Sequence, residues 1–388
     1  MKVLHVTHSI ANSYGGPTQS LKGYAEAARR FGAEVTVAAP ACDPADSSGL
    51  ESVVDSIHQF PTAFGKNAFT VAPGLIKWLR QNASRYDIVH VHGLFNPISS
   101  LGARACIHSK VPTVIRPFGT LSRYTFNHRR RALKRVWFTL VESHNIQRAA
   151  GIHFTTDAER DEAKWRVSDV VNRSYIVPPP FSRDSNEENV TNGRREKIVL
   201  FLSRLHPVKN LEALIEAWSS VTARRNGWKL VIAGSGSPGY EKSIRALSET
   251  VVPRQSVELT GFLRGDAKKE ILARSSLFVL PSRHENFGVA VLEAISAGVP
   301  CVVTPEVQLA PFLAANGLGL VSSAEPRTLA DNIVRALDDQ DLATRAALIG
   351  PGLVEKYFGL VSIGQRLMHM YASAIDQRPA HRTRPSIN

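Results

Sequence analysis

The sequence is poor in cysteine, in long hydrophobic runs and in recognisable nucleic-acid-binding patterns. Its 388 residues include three widely spaced cysteines, too few and too scattered for a disulfide framework or a CxxC metal site, which indicates a reducing compartment. No run approaches 18 apolar residues and no basic leader precedes the first apolar stretch, so we expect a cytoplasmic protein with at most peripheral membrane contact. Helix-turn-helix, RRM and zinc-knuckle patterns are also missing, so the net charge of +13 alone does not predict a nucleic-acid partner.

Short apolar runs alternate with helical patterns in both halves of the chain, which is typical of parallel α/β layers. A chain of this length exceeds what one hydrophobic core usually supports, so two domains are expected. The polar, unpatterned stretch that separates the two halves predicts a linker, and the Arg- and Pro-rich end predicts a disordered tail. The predicted parts are a first domain over 1–180, a linker over 181–197, a second domain over 198–358 and a tail over 378–388.

The most distinctive segment is 281–300, in which Glu285 and Glu293 lie eight positions apart. An apolar run over 276–280 predicts a buried strand, and helical spacing follows from Val289. Eight helical positions correspond to roughly 12 Å along the axis, which is too far for an acid/base pair acting on one bond. The two carboxylates could instead hold opposite ends of one elongated ligand.

The turn between these glutamates suits an anion. Asn286, Phe287 and Gly288 would leave backbone N–H groups free at the start of the helix, where the helix dipole favours a phosphate. Carboxylates accept hydrogen bonds from sugar hydroxyls, so a diphosphate flanked by two polyols, which is a nucleotide-sugar, fits the pattern. The alternative is two solvated charges, but Glu293 lies among apolar helix neighbours where an unpaired charge is costly.

A second block combines cations with a helix start. Residues 200–218 predict a strand, a turn that carries Arg204 and Lys209, and an amphipathic helix. Two cations beside a helix N-terminus form an anion site, although either residue alone would more often be an exposed turn residue.

Together, the two blocks resemble the retaining glycosyltransferases of family 4, and 284–303 is similar to their Glu-x7-Glu signature. The resemblance implies an α/β protein of the GT-B fold, with two doubly wound Rossmann-like domains facing across a cleft and a C-terminal helix over 359–377 crossing back to the first domain. It also implies transfer of a hexose-type sugar from a UDP- or GDP-sugar donor to a hydroxyl of a sugar or lipid-linked sugar acceptor. Bacterial-type cell-surface polysaccharide or glycolipid synthesis is the implied setting.

The resemblance also implies roles for individual residues. Glu285 would hold donor-sugar hydroxyls, Glu293 the ribose, and Arg204 with Lys209 the charge of the leaving diphosphate. Because these cations already supply the partner of the diphosphate, no metal cofactor is expected. The other implied donor-binding residues are Gly15, Gly16, Gly234, Asn286, Phe287, Gly288 and Val289.

The first domain has weaker candidates. The Gly15-Gly16 loop follows the first strand, where open α/β sheets bind ligands, although glycine pairs more often only make a turn. The strand over 88–92 carries His90 and His92 on one face. A strand histidine is usually structural, and we expect that of His90. The family resemblance places His92 in the cleft near the donor sugar and acceptor.

Residues 127–138 concentrate basic charge and aromatic side chains. A solvated charged helix face is one explanation. The two functional alternatives are contact with anionic lipid headgroups, with Trp137 and Phe138 at the interface, and electrostatic attraction of an anionic acceptor.

Two further motifs and two other classes of function offer alternatives to a glycosyltransferase. The segment 234–239 spells the GxGxxG dinucleotide fingerprint, but it follows the second strand of the second domain and has a proline at its helix start. Asp339-Gln-Asp341 spells DxD but is more typical of a polar turn after a helix. A GT-B sugar-nucleotide epimerase and a non-catalytic anionic-lipid-binding protein are the alternative functions.

Overall fold

The computed structural model describes residues 1–46, 48–63, 70–127, 131–167, 172–182, 195–253 and 255–377. The chain forms two compact units: unit 1 contains Met1–Pro180 and Phe358–Asn388, and unit 2 contains Phe181–Tyr357. Most of the predicted linker, the predicted tail and residues 128–130 of the basic segment lie outside the described residues.

Unit 1 is built on a seven-stranded parallel sheet in the order β3-β2-β1-β4-β5-β6-β7. The chain first winds outward from β1 in one direction and then returns past it, which is the doubly wound arrangement that binds ligands at the carboxyl ends of the strands. The strands are β1 (Lys2–Val6), β2 (Glu34–Pro40), β3 (Ser56–Phe60), β4 (Ile88–His92), β5 (Thr113–Arg116), β6 (Gly151–Phe154) and β7 (Ser174–Ile176).

The helices of unit 1 pack against this sheet. One long helix is interrupted: α5 runs through a π-helical turn, Phe138–Glu142, directly into α6. The helices up to the end of β7 are α1 (Gly16–Arg30), α2 (Pro73–Asn82), α3 (Pro97–His108), α4 (Arg123–Asn127), α5 (Arg131–Trp137), α6 (Ser143–Arg148) and α7 (Asp157–Ala163).

Unit 2 has a six-stranded parallel sheet in the order β10-β9-β8-β11-β12-β13. Its strands are β8 (Ile198–Leu202), β9 (Lys229–Ala233), β10 (Val257–Gly261), β11 (Leu277–Leu280), β12 (Cys301–Val303) and β13 (Gly319–Val321). Its helices are α8 (Leu211–Arg224), α9 (Pro238–Val251), α10 (Gly265–Arg274), α11 (Val289–Ser296), α12 (Ala310–Asn316), α13 (Pro326–Asp338) and α14 (Gln340–Phe358).

The last helix, α15 (Leu360–Asp376), belongs to unit 1, where it packs on α1. Gly364 permits the close approach, since a Cβ there would lie 2.5 Å from the Phe31 ring and 3.1 Å from the Ala27 carbonyl oxygen. By length and composition alone, 340–376 is the one stretch of the described chain that could span a membrane. That is weak evidence, because Gly359 separates α14 from α15 and much of α15 is buried core.

The predicted fold class is confirmed: both units are doubly wound parallel sheets. A strand that is buried on both faces of a sheet consists of consecutive apolar residues, which makes it easy to predict. An example is β8, which is buried along its whole length. The sequence predicts neither β3, a half-buried edge strand in which Ser56, His58 and Gln59 are polar, nor the three-residue β13. Asp339 accepts the Leu342 N–H at 2.8 Å before α14, so the DxD motif is a capping turn.

The expected exposure of Trp137 and Phe138 is wrong. Trp137 donates its indole N–H to Glu142 Oε1 at 3.1 Å, and Phe138 is buried with its ring centroid 5.9 Å from that of Phe126. Glu142 is fully buried and needs donors for its carboxylate, which draws the indole inward. The side chains that this helix exposes are different ones.

Candidate functional site

The loop after β8 holds the two predicted cations in different environments. A 3-10 turn over Pro207–Lys209 ends at Asn210, whose left-handed conformation (φ 57°) starts α8. Lys209 is only 9% exposed and its ammonium forms an ion pair with Glu285. Arg204 is exposed, and within the described part of the chain it has no recorded hydrogen-bond or ion-pair partner. One cation is therefore fixed inside the site and the other is available at its surface.

The loop after β11 forms the other wall. The Glu285 N–H donates to the Glu306 carbonyl at 3.1 Å, which fixes the backbone of this loop. Gly288 takes φ 90° immediately before α11, a conformation that side-chain-bearing residues rarely adopt. The Val291 N–H donates to the Gly288 carbonyl at 2.8 Å, and no side chain among the described residues caps the helix, so the N–H groups of Val289 and Ala290 remain available for an anion. Phe287 is buried and Asn286 half-buried beside them.

Glu293 lies on α11 with its side chain 20% exposed, and Lys268 of α10 binds its carboxylate at 2.8 Å. The sequence predicts a buried Glu293, whereas the structure shows it partly open. Lys268 is a site residue that the sequence did not indicate, because no motif links α10 to α11 and the contact depends on how the two helices pack.

Each carboxylate of the Glu-x7-Glu pair is therefore matched by a lysine from another element: Glu285 by Lys209 and Glu293 by Lys268. Each pair places an opposite charge beside a partly buried carboxylate, where a lone charge would be costly. Burial lowers the pKa of the neighbouring His284, with a partly opposing effect of Glu285. The arrangement offers acceptors for hydroxyls and donors for phosphate oxygens within one loop cluster.

Packing explains the first two glycines of the GxGxxG motif. A Cβ on Gly234 would lie 1.9 Å from the Ser203 carbonyl oxygen, and one on Gly236 would lie 2.2 Å from that of Leu205, whereas one on Gly239 would meet no atom within 4 Å. Leu205 and Gly236 also form an isolated parallel bridge. Gly234 and Gly236 thus allow the loop after β9 to lie against the Arg204-bearing loop after β8, which accounts for these two glycines without a dinucleotide.

In unit 1, the Gly15-Gly16 loop leads into α1. Gly15 is the N-cap at φ 75°, and a Cβ on either glycine would meet no atom within 4 Å. The positive φ requires glycine at position 15, whereas the space beside both residues is open. The free space beside Gly15 and Gly16 is compatible with the predicted contact between this loop and the donor, and that contact stays a prediction.

His92 belongs to a buried cluster of histidines that the sequence only partly indicated. A chain of hydrogen bonds joins the Tyr371 hydroxyl to His90 Nδ1 (2.9 Å), His90 Nε2 to His153 Nδ1 (3.1 Å), and His153 Nε2 to the Val177 carbonyl (2.6 Å). A carbonyl only accepts, so His153 donates from Nε2, His90 donates to His153, and Tyr371 donates to His90. This assignment leaves both rings neutral and makes His90 structural, as expected.

His92 pairs separately, with its Nε2 2.8 Å from His5 Nδ1. Its Nδ1 has no hydrogen-bond partner in the described part of the chain, and the side chain is almost fully buried. The predicted role of His92 beside the donor sugar therefore requires that a ligand reach this inward nitrogen.

Ligand atoms of His5, His90 and His92 lie within 4.8 Å of one another, which raises the question of a metal. Both ring nitrogens of His90 are already used in hydrogen bonds. The buried guanidinium of Arg116 also lies close enough to lower the pKa of all three rings, although burial is the main cause. A neighbouring fixed cation disfavours a second cation, so the cluster suits neutral hydrogen-bonded imidazoles better than a metal ion.

Comparison with known proteins identifies the family. Residues 15–178 match the family described as "Glycosyl transferase 4-like domain", and residues 182–350 match "Glycosyl transferases group 1". The alpha-D-kanosaminyltransferase of Streptomyces kanamyceticus is 30% identical over 268 residues, which cover 64% of this chain and 68% of that protein. The GDP-mannose:cellobiosyl-diphosphopolyprenol alpha-mannosyltransferase of Xanthomonas oryzae pv. oryzae (strain PXO99A) is 25% identical over 355 residues, covering 89% and 90%.

Among solved structures, Anabaena Alr3699/HepE in complex with UDP superposes with a TM-score of 0.76 at 22% identity, covering 96% of this chain and 100% of that one. At that identity the match shows the fold alone, and the fold is GT-B. Both halves of the chain match glycosyltransferase families, and a curated relative matches over two thirds of its own length. The chain therefore belongs to the group 1, family 4 glycosyltransferases.

Proposed function

We propose that this glycosyltransferase moves a hexose-type sugar from a UDP- or GDP-sugar to an acceptor hydroxyl with retention of anomeric configuration. The observation that carries the proposal is the Lys209–Glu285 ion pair beside the uncapped start of α11, with the exposed Arg204 on the same loop as Lys209. These groups match the two parts of a nucleotide-sugar that need recognition, an anionic diphosphate and a hydroxyl-bearing sugar.

Donor binding would exchange partners within this cluster. The diphosphate draws Lys209 from Glu285 and takes further hydrogen bonds from the α11 N-terminus, and Glu285 is then free to accept from sugar hydroxyls. Arg204 adds a second cation as negative charge grows on the leaving nucleotide. Such preorganised cations stabilise a developing charge at little reorganisation cost.

Retention would follow from attack on the face of the leaving group. The bond from the acceptor oxygen to the anomeric carbon forms as the bond to the diphosphate breaks, and the acceptor proton passes to the departing phosphate oxygen. In the donor complex Glu285 accepts from sugar hydroxyls and Glu293 stays paired with Lys268, so neither carboxylate is assigned as a covalent nucleophile. No metal enters this scheme, because Lys209 and Arg204 carry the leaving-group charge.

The relatives suggest an acceptor. One is named for a GDP-mannose donor and a diphosphopolyprenol-linked acceptor. We therefore propose a lipid-linked sugar acceptor, a role in cell-surface polysaccharide or glycolipid synthesis, and a site of action at the cytoplasmic face of the membrane. GDP-mannose and UDP-glucose are the first donors to compare.

The test is transfer from a defined donor, with the product's anomeric configuration read by NMR. An α-configured donor should give an α-linked product, and a β-linked product would refute retention. Arg204→Ala and Lys209→Ala should each lower turnover about a hundredfold, or roughly 3 kcal/mol, while circular dichroism still shows the native fold. Lys242→Ala, at an exposed lysine of α9, is the matched control. Normal activity in both site variants would overturn the assignment.

The same assay separates the alternatives. An epimerase would consume the donor without any acceptor and release an isomeric nucleotide-sugar. A non-catalytic lipid-binding protein would turn over no donor and would be indifferent to Glu285→Gln.

A further inference from the structure

One side of the helix formed by α5, the π turn and α6 exposes a line of apolar side chains. Leu133, Val136 and Leu140 are 47%, 56% and 67% exposed. Spacings of three and four residues place them on the same side of a helix. The opposite side, which includes Phe138 and Glu142, is buried. Three large aliphatic side chains aligned in water are unusual for a solvated surface, and such patches mark contact sites.

The segment that contains this line is strongly basic in sequence. Between Gly93 and Thr156 there is one acidic residue, Glu142, and that residue is fully buried. The same stretch has ten basic residues, of which Arg116 is buried: Arg104, Lys110, Arg116, Arg123, Arg129, Arg130, Arg131, Lys134, Arg135 and Arg148.

The positive charge continues along the same helix beyond the apolar line. His144 follows Leu140 by four residues, and its pKa is lowered by desolvation and by the nearby charges of Arg148, Arg104 and His108. Arg131 and Arg135 are exposed at the other end of the helix. An aliphatic line set within positive charge is the combination found in helices that lie in the headgroup region of a bilayer.

We propose that the helix Arg131–Arg148 docks unit 1 on an anionic lipid bilayer, with Leu133, Val136 and Leu140 entering the headgroup region. The competing occupant is a soluble polyanion, such as an acidic polysaccharide. A polyanion would neutralise the cations but would gain nothing from the aliphatic side chains. The proposed lipid-linked acceptor supplies a reason for the docking, whereas the surface itself is independent of the donor-binding residues of unit 2.

The test is co-sedimentation with vesicles of phosphatidylglycerol and phosphatidylcholine, with pure phosphatidylcholine vesicles for comparison. The variant Leu133→Gln/Val136→Gln/Leu140→Gln should bind the anionic vesicles about a hundredfold more weakly, since each half-exposed side chain would contribute about fivefold on insertion. The matched control is Phe262→Gln/Leu348→Gln/Ile349→Gln, three exposed apolar residues of unit 2, which should bind like the wild type.

Charge is tested separately. Arg131→Gln and Arg135→Gln should each cost about fivefold in vesicle binding, and raised salt should release the wild-type protein. On a heparin column the arginine variants should elute earlier, whereas the apolar variant should elute with the wild type. An apolar variant that keeps wild-type vesicle affinity would overturn the proposal in favour of a soluble polyanion. A wild-type protein that ignores anionic vesicles at low salt would overturn it outright.

Folding and donor chemistry provide the remaining controls. All these substitutions are at exposed positions, so circular-dichroism melting curves should match that of the wild type. Slow donor hydrolysis, measured without vesicles, should be equal in every variant. If hydrolysis is missing from the wild type too while vesicle binding behaves as expected, the proposed reaction fails and the docking surface stands.

Discussion

Mild acid should loosen unit 1 before unit 2, because unit 1 contains a cluster of buried neutral histidines. His5, His90, His92 and His153 are each at most 1% exposed. Burial is the main reason that their pKa values lie below the usual 6.5, and that of His5 falls to about 3. Arg116 on the neighbouring strand acts in the same direction, whereas Tyr24 and Tyr371 are neutral partners.

The direction of the effect follows from proton binding. Below pH 6.5 the unfolded chain protonates these histidines and the native unit does not, so stability is complete above pH 6.5 and falls as the pH drops toward the native pKa values. Between pH 7 and pH 5 a histidine that stays neutral in the native unit, as His5 does, costs about 2 kcal/mol. His90, His92 and His153 act in the same direction, whereas Glu142 acts oppositely because burial raises its pKa. The net loss is therefore a substantial part of the stability of a typical domain.

Amide hydrogen exchange measured by mass spectrometry can separate the units. Protection factors for peptides from β4 and β6 should fall steeply between pH 7 and pH 5. Peptides from β8 and β9 serve as the internal control, because neither strand carries a histidine; of the two histidines of unit 2, His206 is exposed and His284 is half-buried. His108→Gln, at an exposed position, should not alter the profile. Full protection of β4 and β6 at pH 5 would show that the histidines are not held neutral, and the reasoning would fail.

Three other predictions concern single contacts. Glu285→Gln removes the carboxylate that pairs with Lys209. Calorimetry should then show free nucleoside diphosphate binding up to about fivefold tighter and the intact donor binding more weakly. Equal weakening of both ligands would contradict the partner exchange. Lys268→Met removes the cation that pairs with Glu293, so the affinities for nucleoside diphosphate and for intact donor should both fall by about two- to fivefold without a change in kcat. Lys268→Arg should restore both affinities. A fall in kcat alone would argue against a role at the nucleotide end. Tyr371→Phe removes the hydroxyl that donates to His90 Nδ1, so the free energy of unfolding in urea should fall by about 1–3 kcal/mol. Tyr357→Phe, at an exposed position, should leave the free energy of unfolding almost unchanged. Equal urea midpoints for the two variants would show that the hydrogen bond does not stabilise unit 1.

The sequence predicts those features that depend on neighbouring residues, such as buried strands and glycine turns. Buried parallel strands read as apolar runs, and the positive φ at Gly288 before α11 is a local requirement for glycine. Contacts between distant segments had no such signal. Lys268 meets Glu293 only because α10 packs beside α11. His5, His90 and His153 come together only because β1, β4 and β6 lie in one sheet, in which β5 separates β4 from β6.

The wrong orientation of Trp137 has the same origin. Its indole turns inward because Glu142 is buried and requires hydrogen-bond donors, and the burial of Glu142 depends on the π turn and on contacts with Phe95 and Ser100. The aromatic pattern of the segment carries no information about those partners. Basic charge in the segment was visible from the sequence, whereas the face that meets solvent was not.

The place of α15 in unit 1 limits how the protein can be divided. A fragment ending at Pro180 would lack the helix that packs on α1 and the hydroxyl that satisfies His90, so its polar interior and one apolar helix face would be left open to water. Such a fragment should aggregate when expressed alone and become soluble when a peptide covering Leu360–Asp376 is supplied in trans. A fragment covering Phe181–Tyr357 retains all of its strands. The two halves of this enzyme are thus unequal as independent folding units, although their sheets are built alike.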